Sequence, residues 1–511
     1  MKIHIPEKLR HLFGGRKASS FYSPYLIDNN VTLDALLFAA ANRQDDPFGS
    51  PLSSAPSSRA PSPEPEDDEP DTVSTANPSP PKPTTDKGMK RAAQDDDDVD
   101  LGEQPENKGN EQIQKPPKKS PEERSKGSKA RGHANRARKR HKTTAELCSN
   151  LDYLLDLAKK HGEQHYKRSA EQECDVDGAV LESRATSTGY VGNAKVELPQ
   201  KRIYSKDELV DDGKNNFQYI KHRPECTQPI SCPKSKKIMA LIVPGPRNNP
   251  TWLPNCDAAT EKIKECRPKC KFPDTDPSRR GGINGVGYGV SLGSGQPEPM
   301  LRNDQGVCRK RVMESIRDDP VFQRIAGFLS MTFLTWAPLL FLYYATTMSD
   351  LLEHYPHLSL PFPNAIWASF AINFGPQTVC LPHRDSKNLA YGWCAITALG
   401  KYNWRLGGHL VLWDRKMVIE FPPGTTIYIP SALVCHFNTA IAADEERYSF
   451  TLYSAGGLFR WVEHGFQFEY DYENTPEAAE NAHLDKTRWE RGRDLFSTVD
   501  ELRTGLDNVR L

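Results

Sequence analysis

The chain has 511 residues, and its 67 Lys and Arg residues balance its 67 Asp and Glu residues, so net charge indicates no particular partner. Only 37% of the residues are hydrophobic and the mean hydropathy is −0.67, which excludes a single continuous globule of this length. The charges are segregated along the chain, and their distribution is therefore more informative than their sum.

The N-terminal part of the chain lacks the composition of a folded domain. Residues 1–43 contain short apolar runs and carry no functional assignment. No apolar stretch follows their basic residues, which argues against a secretory signal. Residues 44–144 are rich in Pro, Ser and charged residues and almost free of aromatic residues. We expect this segment to be disordered, because it cannot bury enough apolar surface to offset the entropy of ordering.

The expected disordered segment contains an acidic block at 95–100 and then a basic run at 129–142, KARGHANRARKRHK. Such a run is typical of nuclear import or of contact with a nucleic-acid backbone, and a solvated linker is the plain alternative. The run is compact, and we expect the chain around it to be flexible. We therefore predict a nuclear localisation signal at 129–142 and a nuclear protein.

Residues 145–236 form a predicted helical and irregular region. Leucines at helical spacing predict a helix over 145–168, whereas residues 170–235 are mixed and polar. Five of the eleven cysteines could suggest a zinc site: Cys226, Cys232, Cys256, Cys266 and Cys270. No Cys-x-x-Cys pair is present, so we interpret the cysteines as reduced intracellular thiols, with a structural zinc ion as the less favoured alternative.

A folded domain is predicted over 237–505. It begins with the apolar strand 237–244 and continues into a glycine-rich stretch, 281–296, which matches neither a dinucleotide nor a phosphate loop. Residues 325–349 carry no charge. Their length permits a membrane span, but a central proline and the lack of a second such segment favour helices packed on a sheet. Residues 475–503 are predicted to form one or two amphipathic helices.

Candidate metal ligands lie in the stretch 373–460. It contains His383-x-Asp385 and, further on, His436 after a strand-like run. Residues two apart on a strand point to the same side, so His383 and Asp385 can bind one metal ion together. Two histidines and one carboxylate are the ligand set of non-haem Fe(II) sites that keep positions open for O2. Satisfied polar groups on strands are the alternative reading.

An anion-binding pair follows the candidate ligands. Arg447 and Ser449 share one face of the strand-like run RYSFTLYS. A guanidinium beside a hydroxyl suits a carboxylate, and we therefore predict an anchor for an acidic cosubstrate.

The His-x-acid pattern also occurs at His161/Glu163 and at His483/Asp485. Both of these pairs lie in charged segments that are predicted to be helical. Residues two apart on a helix point in nearly opposite directions and cannot share a metal ion. Only the pair at 383 and 385 stands in a strand-rich setting.

A long ordered series of residues adds a family resemblance. It comprises Pro382–Asp385 with Asn388, Gly392–Gly400, Gly407–Asp414, Phe421–Gly424, Arg447–Phe450 and Ala455–Trp461. The series resembles the Fe(II)/2-oxoglutarate dioxygenases of the TET/JBP family, which hydroxylate nucleobases, and it is most similar to the fungal branch associated with transposable elements. The resemblance extends weakly from about 238 to about 503.

The resemblance implies an α+β fold with a double-stranded β-helix (jelly-roll) core and buttressing helices. It implies Fe(II) held by His383, Asp385 and His436, and 2-oxoglutarate held by Arg447 with Ser449. The implied reaction consumes O2 and hydroxylates a methyl group on a DNA base flipped out of the duplex, most readily 5-methylcytosine to 5-hydroxymethylcytosine and further oxidised forms. Thymine and N6-methyladenine remain alternatives.

Several other side chains of the resembling residues allow more than one role. Asn388 is a candidate for reading the base edge, and a turn residue is the equal alternative. We interpret His409 as packed in the sheet, and Trp393, Trp413 and Trp461 as core residues. Neither a membrane nor an obligate protein partner is predicted.

Two other functions remain open. One is an RNA or protein hydroxylase of the same fold. The other is a non-enzymatic nuclear DNA-binding or transposon accessory protein with a decayed dioxygenase domain, against which the complete ligand set argues.

Overall fold

The computed structural model of the protein describes residues 162–163, 165–173, 185–210, 213, 216–273, 281, 283–293, 295–302 and 306–504. The predictions for residues 1–43, for the disordered segment 44–144 with its localisation signal, and for most of the helix 145–168 lie outside the described residues. His161 also lies outside them.

The described residues contain both strands and helices, which agrees with the predicted α+β class. The strands are β1 Gln172–Glu173, β2 Gln218–Ile220, β3 Gln228–Ser231, β4 Ile238–Val243, β5 Gly285–Ser291, β6 Met300–Leu301, β7 Ser369–Asn373, β8 Cys394–Lys401, β9 Leu410–Leu412, β10 Met417–Ile419, β11 Thr426–Ile429, β12 His436–Asn438 and β13 Glu446–Tyr453. The helices are α1 Lys206–Val210, α2 Trp252–Cys266, α3 Gly306–Arg317, α4 Pro320–Trp336, α5 Pro338–His354, α6 Gly456–Glu463, α7 Glu469–Glu473, α8 Pro476–Asp494 and α9 Val499–Thr504.

The strands form two sheets. The large sheet has the order β1-β3-β4-β11-β8-β13-β7-β5-β6, and the small sheet has the order β12-β9-β10-β2. Neighbouring strands are antiparallel except for the pairs β1–β3 and β2–β10. The strands β1, β2 and β3 precede residue 237, the predicted start of the domain, and yet they belong to these two sheets.

Between residues 369 and 453 the chain alternates between the sheets. β7, β8, β11 and β13 belong to the large sheet, whereas β9, β10 and β12 belong to the small one. The segment between β7 and β8 joins the edge of the small sheet through an antiparallel bridge between His383 and His436. This path brings residues that are far apart in sequence onto neighbouring strands.

Two apolar helices pack against the large sheet, as predicted for the charge-free segment. α5 begins at Pro338, a position where a helix needs no N–H donor. Tyr428 of β11 donates its hydroxyl to the carbonyl oxygen of Leu329 in α4 at 2.9 Å, and Phe333 stacks on Trp367 with ring centroids 5.2 Å apart. Within the described part of the chain, no helix has both the length and the apolar character that crossing a membrane requires.

Other local predictions are confirmed. The apolar run 237–244 forms β4, and the tail forms α8 and α9. The glycine-rich stretch forms β5, where Gly289 has a φ of +128° and lies against the backbone of Ala368 with no room for a Cβ. Glycine is needed at this position because two backbones approach each other closely.

Candidate metal centre

The three predicted metal ligands lie together beside the free edge of the small sheet. The Nε2 atom of His383 lies 3.8 Å from one carboxylate oxygen of Asp385, and the Nε2 atom of His436 lies 3.8 Å from the other. The two imidazole centroids are 4.3 Å apart. Both histidines are 4% exposed. In the part of the chain that the structure describes, no other group of three His, Cys, Asp or Glu side chains is close enough to hold a metal ion.

Backbone carbonyls determine which nitrogen of each histidine faces this point. The Nδ1 atom of His383 lies 2.8 Å from the carbonyl oxygen of Leu381, and that of His436 lies 2.9 Å from the carbonyl oxygen of Val434. A carbonyl oxygen only accepts, so each Nδ1 carries the proton and each Nε2 keeps its lone pair. Two neutral imidazole nitrogens and one carboxylate on one side fit a divalent transition metal such as Fe(II).

The backbone holds the ligands in this arrangement. His383 and His436 exchange two hydrogen bonds, of 3.3 Å and 3.0 Å between amide nitrogen and carbonyl oxygen. The amide of Asp385 donates to the carbonyl of Ser431, in the turn between β11 and β12, at 2.9 Å. The pair at 383 and 385 therefore lies in a short extended bridge rather than in a full strand, with both side chains still on one side.

A buried ion pair lies on the opposite side of the same bridge. Arg384 points away from the two ligands that flank it, and its guanidinium lies 3.2 Å from a carboxylate oxygen of Asp414. It also donates to the carbonyl oxygen of Leu433 at 3.0 Å. Asp414 in turn accepts the amide N–H of Cys435 at 2.5 Å. The pair thus connects the segments that carry all three ligands.

The pairing of Arg384 with Asp414 has no local sequence signal. Strand alternation predicts that a residue between two ligands points away from them. A buried arginine needs an acid, and Asp414 ends one of the quoted motifs. The sequence does not show that these two residues meet.

The predicted anion anchor, Arg447, is buried in a second corner of the fold. It is 1% exposed. One nitrogen donates to the carbonyl oxygen of Thr378 at 3.0 Å, while its buried Nε and the hydroxyl of Thr378 have no hydrogen-bond partner. No described carboxylate forms an ion pair with Arg447. A buried cation and two unsatisfied polar atoms in one place fit a bound anion, since burial without a partner is costly.

Aromatic side chains and a hydroxyl surround this corner. The guanidinium carbon of Arg447 lies 5.9 Å from the ring centroid of Tyr402 and 5.6 Å from that of Phe421. Burial raises the pKa of the Tyr402 phenol, which therefore stays neutral. Ser449 follows Arg447 on the same face of β13, and its hydroxyl accepts a hydrogen bond of 2.8 Å from the side-chain amide of Asn373.

Asn388 lies next to the Asp385 turn. Its backbone N–H donates to the carbonyl of Asp385 at 2.8 Å, and its side-chain amide donates to the Ser431 hydroxyl at 3.0 Å. Through Ser431 it supports the same turn that holds Asp385. Its role in reading a base remains a prediction.

The remaining singled-out residues pack as interpreted. His409 is fully buried, with its Nδ1 2.9 Å from the Thr439 hydroxyl, and burial lowers the pKa of His409 to about 4. It stands apart from the metal ligands. Trp393 and Trp461 are buried, and Trp413 packs against the aromatic rings of Tyr204, Phe217 and Phe437. His483 lies in α8, in agreement with its predicted helical setting.

The solved structures that the chain is similar to include two distant likenesses. No family model and no curated protein matches the chain. NgTET1 in complex with 5mC DNA is 13% identical, with a TM-score of 0.33, and the match covers 58% of this chain and 91% of that one. A 2OG-Fe(II) oxygenase family protein from Burkholderia pseudomallei is 16% identical, with a TM-score of 0.23, covering 39% and 78%. Likeness at this level does not establish a family.

Proposed function

We propose that this protein is an Fe(II)- and 2-oxoglutarate-dependent dioxygenase that hydroxylates the methyl group of a modified DNA base. The observation that carries the proposal is the convergence of His383, Asp385 and His436 on one point, with both Nε2 lone pairs directed there. Acid–base catalysis alone does not require two imidazoles that are both held in the Nδ1–H tautomer around one carboxylate. A facial metal site requires this arrangement, because both Nε2 lone pairs must face the metal ion.

The path of the chain supports a jelly-roll core for this enzyme. Eight extended segments, from β7 through the His383 bridge to β13, are distributed over two antiparallel sheets, and most successive segments change sheet. A jelly roll is such a double sheet, formed by two Greek keys. In this arrangement the ligands sit on the segments that correspond to its second and seventh strands.

Arg447, which has no acidic partner among the described residues and an unsatisfied Nε, supports 2-oxoglutarate as the cosubstrate. A dicarboxylate can chelate the metal through its keto acid end and place its far carboxylate against the guanidinium. That carboxylate would satisfy the free Nε of Arg447, and the hydroxyls of Thr378 and Ser449 are available beside it. Iron with 2-oxoglutarate supplies oxidative decarboxylation and O2 activation. The buried side chains of this chain exclude bulk water and orient the cosubstrate.

The DNA-base substrate is supported by the residue series quoted from the sequence and by the position of Asn388. The backbone N–H of Asn388 donates to the carbonyl oxygen of the metal ligand Asp385, so Asn388 lies close to the metal site. A methyl group on a stacked base cannot enter a buried site, and the nucleotide must therefore be flipped out. We further propose nuclear import through residues 129–142.

The test is succinate formation by the full-length protein with Fe(II), 2-oxoglutarate and DNA duplexes that carry 5-methylcytosine, thymine or N6-methyladenine. We expect succinate and an oxidised base, measured by nucleoside mass spectrometry, to rise together with one of these duplexes. Succinate that rises only with RNA or a protein would assign the other substrate class. A protein that binds DNA but forms no succinate above background would be a decayed enzyme, and the proposal would be wrong.

A further inference from the structure

A cavity lies on the helix-covered side of the large sheet, away from the metal centre. It has a volume of about 540 Å³ and lies between α4, the end of β4 and residues 224–227. Phe328, Trp336 and Val243 provide apolar lining, and all three are almost fully buried. None of its lining residues belongs to the metal centre or to the Arg447 corner, so it is a separate site.

Two arginines at this cavity have no side-chain partner among the residues that the structure describes. Arg168 and Arg247 line it and are exposed, and neither guanidinium forms a hydrogen bond or ion pair with the described part of the chain. Glu225 is the one acidic side chain among the described lining residues. The balance of charge is therefore positive, and two donor groups are free to bind an anion.

The walls of the cavity are held in place by hydrogen bonds and close packing. Tyr166 donates its hydroxyl to the carbonyl oxygen of Thr335 at 2.5 Å, which fixes the segment before Arg168 to α4. Gly245 has a φ of +110° and lies against Trp252, whose indole N–H donates to the carbonyl oxygen of Gly424 at 3.0 Å. The segment before Arg247 therefore packs against α2.

We propose that this cavity is a binding site for a small ligand with a flat apolar body and one anionic group, a carboxylate or a phosphate. Its volume lies in the range of small-molecule sites, which combine apolar walls with a few polar groups. The body of the ligand packs against Trp336 and Phe328, and its anion binds Arg168 and Arg247.

Probes that share one body and differ in charge test this proposal on the full-length protein. Naphthoate and naphthyl phosphate carry the anion, naphthalenemethanol is neutral, and naphthylmethylammonium is a cation. By titration calorimetry we expect the tighter of the two anions to bind about tenfold more tightly than the neutral probe, and the cation to bind most weakly. The comparison between the two anions distinguishes a carboxylate ligand from a phosphate ligand.

Substitutions of lining residues test whether the probes bind in this cavity. Arg168→Gln and Arg247→Gln should each weaken the anionic probe about threefold to tenfold, whereas Arg405→Gln, an exposed arginine outside the cavity, should not. Thr332→Leu narrows the cavity beside Phe328 and should weaken binding, and the isosteric Thr332→Val should retain it, with melting temperatures confirming that both fold. Equal affinity for all probes, no binding at millimolar concentration, or anion binding unchanged in the Arg and Leu variants would overturn the proposal.

Discussion

Two buried arginines of the protein, Arg384 and Arg447, differ in how their charges are balanced. Arg384 forms an ion pair with Asp414 and donates to three backbone carbonyls, of Val196, Glu197 and Leu433. Arg447 has one carbonyl partner, no described acid and an unsatisfied Nε. Both are at most 5% exposed, so burial alone does not separate their roles.

The difference shows which cation is structural and which is available to a ligand. A buried charge that has its full set of partners is part of the framework, and its removal leaves other groups unsatisfied. A buried charge that lacks an acidic partner lowers the stability of the fold, and a bound anion offsets this cost.

The largest effect is expected at the three metal ligands. His383→Ala or Asp385→Ala should abolish the oxidised base in nucleoside mass spectrometry, because two remaining ligands cannot hold iron in a facial site. The melting temperature without metal should change little, and added Fe(II) should raise it only in the wild type.

His483→Ala is the matched control for that experiment, since it alters a second His-x-acid sequence that lies on α8. It should leave the activity unchanged. Normal product from either ligand variant would remove the iron assignment.

The framework arginine should have the largest effect on stability. Arg384→Met leaves the Asp414 carboxylate buried without a cation, which costs about 3–5 kcal/mol in the free energy of unfolding. Urea denaturation measures this loss, and the double variant Arg384→Met with Asp414→Leu should recover part of it. A loss below about 1 kcal/mol would show that the pair does not hold the bridge.

The ligand-binding arginine should behave in the opposite way. Arg447→Met removes a buried charge that has one carbonyl partner and no acid among the described residues, so the stability without cosubstrate should stay nearly the same. The KM for 2-oxoglutarate should rise about 30- to 100-fold, and 2-oxoglutarate should no longer raise the melting temperature. Arg447→Lys should recover part of the affinity. If Arg447→Met lost as much stability as Arg384→Met, Arg447 would be a structural residue and its assignment to a ligand would be wrong.

A third buried basic side chain, His409, should give the smallest effect. Burial lowers its pKa from 6.5 to about 4 in the folded protein. Below pH 6.5 the unfolded chain binds a proton that the folded chain does not, so the stability that His409 contributes is present above pH 6.5 and is lost as the pH falls towards 4.

At pH 5 this loss is about 2 kcal/mol. Urea denaturation between pH 7 and pH 4 should therefore show a shallower decline for His409→Gln than for the wild type, with His483→Gln as the control. Parallel curves for the wild type and His409→Gln would show that His409 is not held neutral by burial.

The sequence by itself determined the types of the ligands and their local geometry. His383 and Asp385 are two residues apart in an extended segment, which places both side chains on one side regardless of the rest of the fold. The apolar run at 237–244, the helices of the charge-free segment 325–349 and the helical tail were also predictable, because the apolar pattern of a segment is a local property of the chain.

Only the tertiary structure decided which distant residues meet. Contacts between segments far apart in sequence decide that Arg384 pairs with Asp414 and that β1, β2 and β3 enter the sheets. They also decide that no acid among the described residues pairs with Arg447. The same holds for the cavity beside α4. Local periodicity predicts which face of a strand or helix is buried but not what packs against it. Whether a buried arginine has an acidic partner is therefore decided only by the tertiary structure.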